Sequence, residues 1–255
     1  MKTYRVLGEI ARKLAKAALL ARTPRFRRGL LAGVAAGIEH EDLLRGLGRV
    51  RTVVDVGANK GQFALLALEL FPDATVHAFE PLAAAFARLG TWSRGEHRLT
   101  PHCLALAATA GTQAMHVSAR MDSSSLHPIT DRQAAQFPHT HEVGREWVRV
   151  ARLDETLTPM DLPAPALLKI DVQGGELEVL RGAAGVLPCF DWVYVECSFV
   201  EFYQGQGLVA DVAELLEAAG FQATVLWRPC RDADGRPVQA DILFVQKGAH
   251  QSDKA

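Results

Sequence analysis

Between Arg51 and Gln246, short apolar runs alternate with segments whose apolar positions recur every three or four residues. That alternation predicts parallel strands joined by crossover helices. The first run, Thr52-Val53-Val54-Asp55-Val56, is β-branched and stops at Gly57. A helix follows with Phe63, Leu66, Ala67 and Leu70 on one face, ending near Phe71-Pro72. Thr75–Phe79 is the second strand, closed by Glu80-Pro81, and Leu82, Phe86 and Leu89 mark the next helix. Further core strands are predicted over residues 99–106, 166–172 and 192–196. The last two are separated by a helix carrying Leu177, Leu180, Ala184 and Leu187. Leu208, Val212, Leu215, Leu216 and Ala219 form a final helix with Gly220 as its C-terminal cap. Strands over residues 221–226 and 240–246 complete an α/β, doubly wound sheet. Residues 112–119 and 146–153 read as additional strands around a polar stretch rich in Ser, His and Gln.

The first 48 residues have a different pattern. Val6, Ile10, Leu14, Ala17 and Ala18 recur at helical spacing between basic residues, so residues 5–21 are predicted as an amphipathic helix ended by Thr23-Pro24. A second helical stretch is predicted over residues 30–47. The chain thus divides into a basic helical extension (1–48), one α/β domain (49–248) and a short tail (249–255).

Charge sharpens that division. The net charge is only −1, which gives the whole molecule no bias toward nucleic acid, yet residues 1–30 carry +8 and the remainder −9. Two readings of the basic helix stay open: attachment to an anionic membrane surface, or docking on its own domain or a second subunit in a homodimer. Four widely spaced cysteines with no CxxC pair exclude a zinc or disulfide framework and fit a reducing, cytoplasmic setting. Glu9, Arg12, Lys13 and Lys16 interrupt any signal-peptide core, and no apolar run approaches the ~20 residues of a membrane span.

The chemistry is concentrated at strand ends. In Asp55-Val56-Gly57-Ala58-Asn59-Lys60-Gly61-Gln62-Phe63, an acid leads into a glycine-rich turn that opens a helix. The two glycines are four apart with no third, which departs from the dinucleotide GxGxxG pattern. Asp55 would repel a phosphate and suits an ammonium group. Glu80, 23 residues beyond Gly57 at the end of the second strand, is placed to accept hydrogen bonds from both hydroxyls of a ribose. A net cationic nucleoside such as S-adenosylmethionine (SAM) fits this set. The plain alternative is that the acids cap helices and the glycines only make a tight loop.

These residues resemble the FkbM family of SAM-dependent methyltransferases. The resemblance covers residues 50–246 and rests on Asp55–Phe63 with Phe79-Glu80-Pro81, Leu168-Lys169-Ile170-Asp171-Val172-Gln173-Gly174, Glu176–Ala183, Val195-Glu196-Cys197-Ser198-Phe199 and Ala240–Val245. It implies the class I methyltransferase (Rossmann-like) sheet of seven strands, the last antiparallel, and methylation of a hydroxyl on a saccharide, glycan, glycolipid or secondary metabolite. It further implies that Asp55, Gly57, Asn59 and Gly61, with Phe63 beside them, surround the methionine portion of SAM. Glu80 then holds the ribose, and the backbone at Ala105-Leu106 flanks the adenine. Val172-Gln173-Gly174 departs from the Val-Glu-Gly common in the family, which puts the role of position 173 in doubt.

A hydroxyl acceptor needs a group to take its proton. Asp171 and Glu196 stand at neighbouring strand ends; Asp171 is the first candidate and, in the loop nearest the cofactor, is also predicted to contact it, with Lys169 on the same side of its strand. Two such carboxylates also suit a divalent cation that orients a diol, although no metal is predicted. The polar stretch supplies a candidate acceptor lid: Ser124 within Ser123–Ser125 as a donor to the cofactor, and His116 or His127 as an alternative base. Serine runs also make ordinary turns, and loop histidines are commonly only solvated. Phe199, Phe202 and Tyr203 read either as a mobile pocket wall or as loop packing. Two other functional classes remain, a SAM-binding partner without turnover and a nucleotide-sugar or NAD oxidoreductase; the glycine spacing argues against the second.

Overall fold

Strands buried on both faces read as continuous apolar runs, and the computed structural model, which describes residues 23–248, places the central sheet on such runs. In chain order the strands are β1 (Thr52–Val56), β2 (Thr75–Phe79), β3 (Leu99–His102), β4 (Ala105–Leu106) and β5 (Gly111–Ser118). They continue with β6 (Glu142–Ala151), β7 (Ala166–Ile170), β8 (Trp192–Ser198), β9 (Phe221–Arg231) and β10 (Pro237–Gln246). Seven of them form one sheet in the order β3-β2-β1-β7-β8-β10-β9. Its strands run parallel except β10, which is antiparallel to both neighbours. The chain reverses direction in this order between β1 and β7, and such a switch point opens a crevice at the carboxyl ends of the strands.

The helices are α1 (Pro24–Leu31), α2 (Glu41–Arg45), α3 (Gln62–Leu70), α4 (Ala83–Ser93), α5 (Asp131–Gln136), α6 (Leu153–Thr156), α7 (Glu176–Gly182) and α8 (Val209–Ala218). Successive strand residues face opposite ways, which divides the core in two. Val53, Leu167 and Tyr194 pack with Leu65 and Leu66 of α3, Trp92 of α4 and Phe26 of α1. Val54, Leu168 and Val193 pack on the other face with Leu180 of α7 and Leu216 of α8. Among the described residues, no helix is long and apolar enough to cross a membrane.

Several predicted boundaries move. Thr23-Pro24 opens a helix that was not predicted to begin there: Thr23 Oγ1 accepts from the Phe26 amide at 3.1 Å, and proline suits the first turn because its missing N–H would be unpaired there. The helix predicted over residues 30–47 is interrupted; α1 stops at Leu31, Gly33 adopts a φ of +73°, and the chain resumes with a short 3-10 turn at Ile38–His40 and α2. The basic helix predicted over residues 5–21 lies outside the described residues. The predicted third strand is two strands, because β3 pairs with β2 while β4 leaves to pair with β6. With β5 these make a second, three-stranded sheet in the order β4-β6-β5. Between β5 and β6 the polar stretch folds into a 3-10 turn (Met121–Ser123) and α5, capped by Thr130. The strands predicted at 221–226 and 240–246 extend to the hairpin of β9 and β10.

Helix α3 carries the glycine-rich turn at its start, and Arg98 fixes its other end. The guanidinium donates to the carbonyls of Leu68 and Phe71 at 3.0 Å and of Pro72 at 2.8 Å, oxygens that a helix terminus leaves without partners. Arg98→Ala is therefore expected to lower the unfolding free energy by about 2 kcal/mol, read from the urea midpoint at unchanged slope. Arg98→Lys, which lacks the planar fork, should recover only part of it.

Candidate active site

At the carboxyl end of β1 the backbone must turn without a side chain in the way. Gly57 has a φ of +78°, and a Cβ there would lie 1.8 Å from the Asp171 carbonyl oxygen. Gly61 begins α3 in the left-handed region as well, packed against the Trp92 ring.

Two cavities open at these strand ends. The first, about 190 Å³, is lined by Gly57, Asn59, Glu80, Ala105, Leu106 and Ser124, with Met115, Met121 and Leu126 from the inserted sheet and loop. The second, about 230 Å³, is lined by polar groups including Ser123, Gln133, Glu196 and Gln239. They share Asp122, Asp171 and Gln173. Of the residues predicted for the cofactor, Gly57, Asn59, Glu80, Ala105, Leu106, Ser124 and Asp171 therefore surround one hollow. Asp55, Gly61 and Phe63 lie behind its wall and outside its lining.

Asp55 is fully buried, and the ammonium group beside it belongs to the protein itself. It stands in register with Lys169, whose Nζ is 3.2 Å from Asp55 Oδ1, 3.5 Å from Asp171 Oδ2 and 3.4 Å from the Gly57 carbonyl. The Phe63 ring lies under the same ammonium, 5.6 Å to its centre. Burial opposes the charge on Lys169, but the carboxylates of Asp55 and Asp171 outweigh it and raise its pKa, so the ammonium stays protonated.

Glu80 is held by the turn it faces. Its Oε2 accepts from the Asn59 amide and its Oε1 from the Leu82 amide, both at 2.8 Å. Burial nonetheless pushes this carboxyl up to about 7. Nearby, the Asn59 Oδ1 and Glu178 Oε2 atoms are buried without hydrogen-bond partners, and both residues line the first cavity. A carboxylate at the ribose position and unpartnered polar atoms around an apolar hollow fit the adenosyl portion of SAM.

Glu196 lies in the second cavity, where burial and then the Asp171 and Asp241 carboxylates push its pKa well above the ordinary range. His116 sits elsewhere, on β5, with Nδ1 2.7 Å from Glu142 Oε2 and outside the lining of both cavities. His127 lines the first cavity, with Nδ1 3.1 Å from the Gln204 carbonyl and Nε2 3.8 Å from Glu178. His139 and His141 are exposed, and among the described residues no three Asp, Glu, His or Cys side chains are grouped for a metal ion. Phe202 and Tyr203 are buried and pack with Val238, Ile129 and Phe137. Of the two readings offered for them, the geometry is that of loop packing.

Three contributors were given no site role by the sequence. Glu176 accepts from the Val172 and Gly174 amides at 3.2 and 3.0 Å, which fixes the loop after β7. Gln133 and Asp122 reach the second cavity from the polar insertion, a candidate acceptor lid in which the sequence assigns neither residue a role. Glu176 lies within the Glu176–Ala183 block of the family resemblance, but nothing local to the sequence shows that its carboxylate turns back on the preceding loop.

The class that sheet order and strand-end hollow define is the SAM-dependent methyltransferase, and the comparison with known proteins narrows it. Residues 55–223 match the methyltransferase FkbM domain, and the chain belongs to that family. It is 31% identical to 31-O-demethyl-FK506 methyltransferase FkbM of Streptomyces tacrolimicus over 193 residues, which cover 66% of this chain and 72% of that one. It is also 31% identical to methyltransferase 1 of Beauveria bassiana (68% and 73% covered) and 27% identical to the 2-O-methyltransferase NoeI of Sinorhizobium fredii (64% and 70%).

Lys169→Met would leave Asp55 buried without its counter-charge. A loss of about 3–5 kcal/mol in unfolding free energy is expected by urea denaturation at pH 7. The double change with Asp55→Asn should regain most of that loss, because no isolated charge then remains.

Proposed function

We propose that the protein is an O-methyltransferase that transfers the methyl group of SAM to a hydroxyl of a saccharide, a glycan or glycolipid, or a secondary metabolite. The observation that carries this reading is the meeting of the two cavities at Asp171. A cofactor in the first and an acceptor in the second would face each other across that carboxylate. Bound SAM supplies an electrophilic methyl group on a sulfonium. Displacement at that carbon requires the hydroxyl oxygen in line with it, so alignment by the cavity walls contributes much of the rate.

Glu80 and Asn59 orient the adenosyl and ribose groups, and the backbone at Ala105-Leu106 lies against the base. Asp55 acts through Lys169, whose ammonium it holds against Asp171 and the Gly57 carbonyl. Asp171 takes the acceptor's hydroxyl proton at its carboxylate, and Glu196, bonded to the same Gln173 nitrogen, stands beside it to receive a second acceptor hydroxyl. Asp122, Ser123, Gln133 and Gln239 add donors and acceptors that suit a polyhydroxylated molecule. The names of two relatives, a 31-O-demethyl-FK506 methyltransferase and a 2-O-methyltransferase, agree with a hydroxyl acceptor.

The test is release of S-adenosylhomocysteine on incubation with SAM and a panel of free sugars, uronic acids, glycolipids and macrolides. Turnover with at least one hydroxyl acceptor is expected, and Asp171→Asn should lower it about 100-fold while circular dichroism is unchanged. SAM binding with no methylated acceptor would favour a non-catalytic partner, and NAD binding in place of SAM an oxidoreductase.

Binding of SAM should depend on pH through Glu80. A ribose hydroxyl donates to the ionised carboxylate, and with a pKa of about 7 in the free protein that form is lost as pH falls. Affinity by calorimetry is expected to drop about tenfold between pH 8 and pH 6. The free protein responds in the opposite sense: a carboxyl raised by burial stabilises the fold at low pH and loses that contribution as pH rises through 7. Glu80→Gln should remove the pH dependence of binding along with most of the affinity.

A further inference from the structure

Gln173 joins both carboxylates of the second cavity to the inserted segment. It follows the end of β7 with a φ of +60°, and its Nε2 donates to Asp171 Oδ1 at 2.6 Å and to Glu196 Oε2 at 2.8 Å. A carboxamide nitrogen has two hydrogens, and both are engaged. Its Oε1 lies 2.7 Å from the Tyr203 hydroxyl, which donates to it. Tyr203 in turn accepts from Gln133 Nε2 at 3.1 Å, and both Tyr203 and Gln133 are buried.

We propose that Gln173 is a positioning residue of the methyl-transfer centre, a neutral bridge that holds the Asp171 and Glu196 carboxylates together and takes its own orientation from the inserted segment through Tyr203 and Gln133. The proposal rests on the assignment of Asp171 as proton acceptor. Two carboxylates in one cavity repel, and a proton or cation between them would relieve it. The amide does this without blocking either group, since each carboxylate keeps further lone pairs for an acceptor hydroxyl. Each bond favours the ionised form of the acid that accepts it, against burial and the other acids nearby. Those acids are Asp55 on β1, Glu176 on α7, Asp241 on β10 and Asp122 in the inserted segment; Lys169 on β7 and Arg120 of the same cavity are the counter-charges, and His40 also faces Asp171.

Orientation is the second part of the inference. A flipped amide would turn its oxygen toward both carboxylates and its nitrogen toward Tyr203. The two carboxylates oppose that flip, and the Tyr203 hydroxyl adds to the selection by donating to Gln173 Oε1 at 2.7 Å in preference to the Ser123 carbonyl at 3.2 Å, while it accepts from Gln133 of α5. Thr130, the cap of α5, binds the Phe202 carbonyl next door, through both its amide at 3.1 Å and its hydroxyl at 2.7 Å. Docking of the insertion on the loop after β8 therefore sets the hydrogen-bond polarity at the carboxylates.

The experiment is carboxyl-detected 13C NMR titration of Asp171 and Glu196 in the full chain from pH 4 to 10, for the wild type, Gln173→Leu and Tyr203→Phe. In Gln173→Leu at least one of the two carboxyls should titrate about one pH unit higher. In Tyr203→Phe, which keeps the buried ring, the shift should have the same direction and be smaller. Titration curves that coincide with the wild type in both variants would overturn the proposal, and a shift in Gln173→Leu alone would overturn the link to the insertion. If Gln173→Leu does not fold, Tyr203→Phe decides. The titration uses neither SAM nor an acceptor, so it stands or fails separately from the O-methylation reading.

Discussion

A single buried ammonium group organises the carboxyl end of the sheet. Lys169 projects from the central strand β7 between Asp55 of β1 and Asp171 after β7, with the Gly57 carbonyl also in reach. A lone charge in such a place is prohibitive, and a lone carboxylate is equally so. Each is tolerable only because the parallel register of β1 and β7 sets Asp55 opposite Lys169. The same register brings the glycine turn after β1 against the loop after β7, where Gly57 has no room for a side chain. Strand pairing, charge and backbone conformation thus fix the floor on which a cofactor would rest.

Over that floor the molecule divides its polarity. The first cavity combines Glu80 and Asn59 with the apolar side chains of Met115, Met121 and Leu126, as a nucleoside with an apolar face requires. The second concentrates carboxylates and carboxamides, which suits hydroxyl groups. The insertion between β5 and β6 contributes to both, so one segment closes two sites that different strands open. Its buried anchors, Thr140, Gln133 and Ser125, make it a docked element of the fold.

Much of the fold was legible in the chain itself. β1, β2, β7 and β8 are short, β-branched or aliphatic, and covered on both faces, so periodicity alone located them. The glycine spacing after Thr52–Val56 and the acid at Glu80 located the cofactor region, because both follow from local backbone needs at a strand end. Boundaries failed where a local signal had two uses. Gly33 can lie within a helix or end one, and the single strand predicted over residues 99–106 is two strands that part at Cys103 and Leu104.

What the sequence determined by itself is therefore the alternation of strands and helices, the turn after β1, and the set of acids at strand ends. What only the tertiary structure decided is which partner each polar group has. Asp55 answers to a lysine 114 positions away, His116 to Glu142, and Gln173 to Asp171, Glu196 and Tyr203 at once. Periodicity records the face on which a side chain lies, since burial repeats along a strand or helix. It carries no record of partners across strands, because those are set by register and by loops that close only when the whole sheet has assembled.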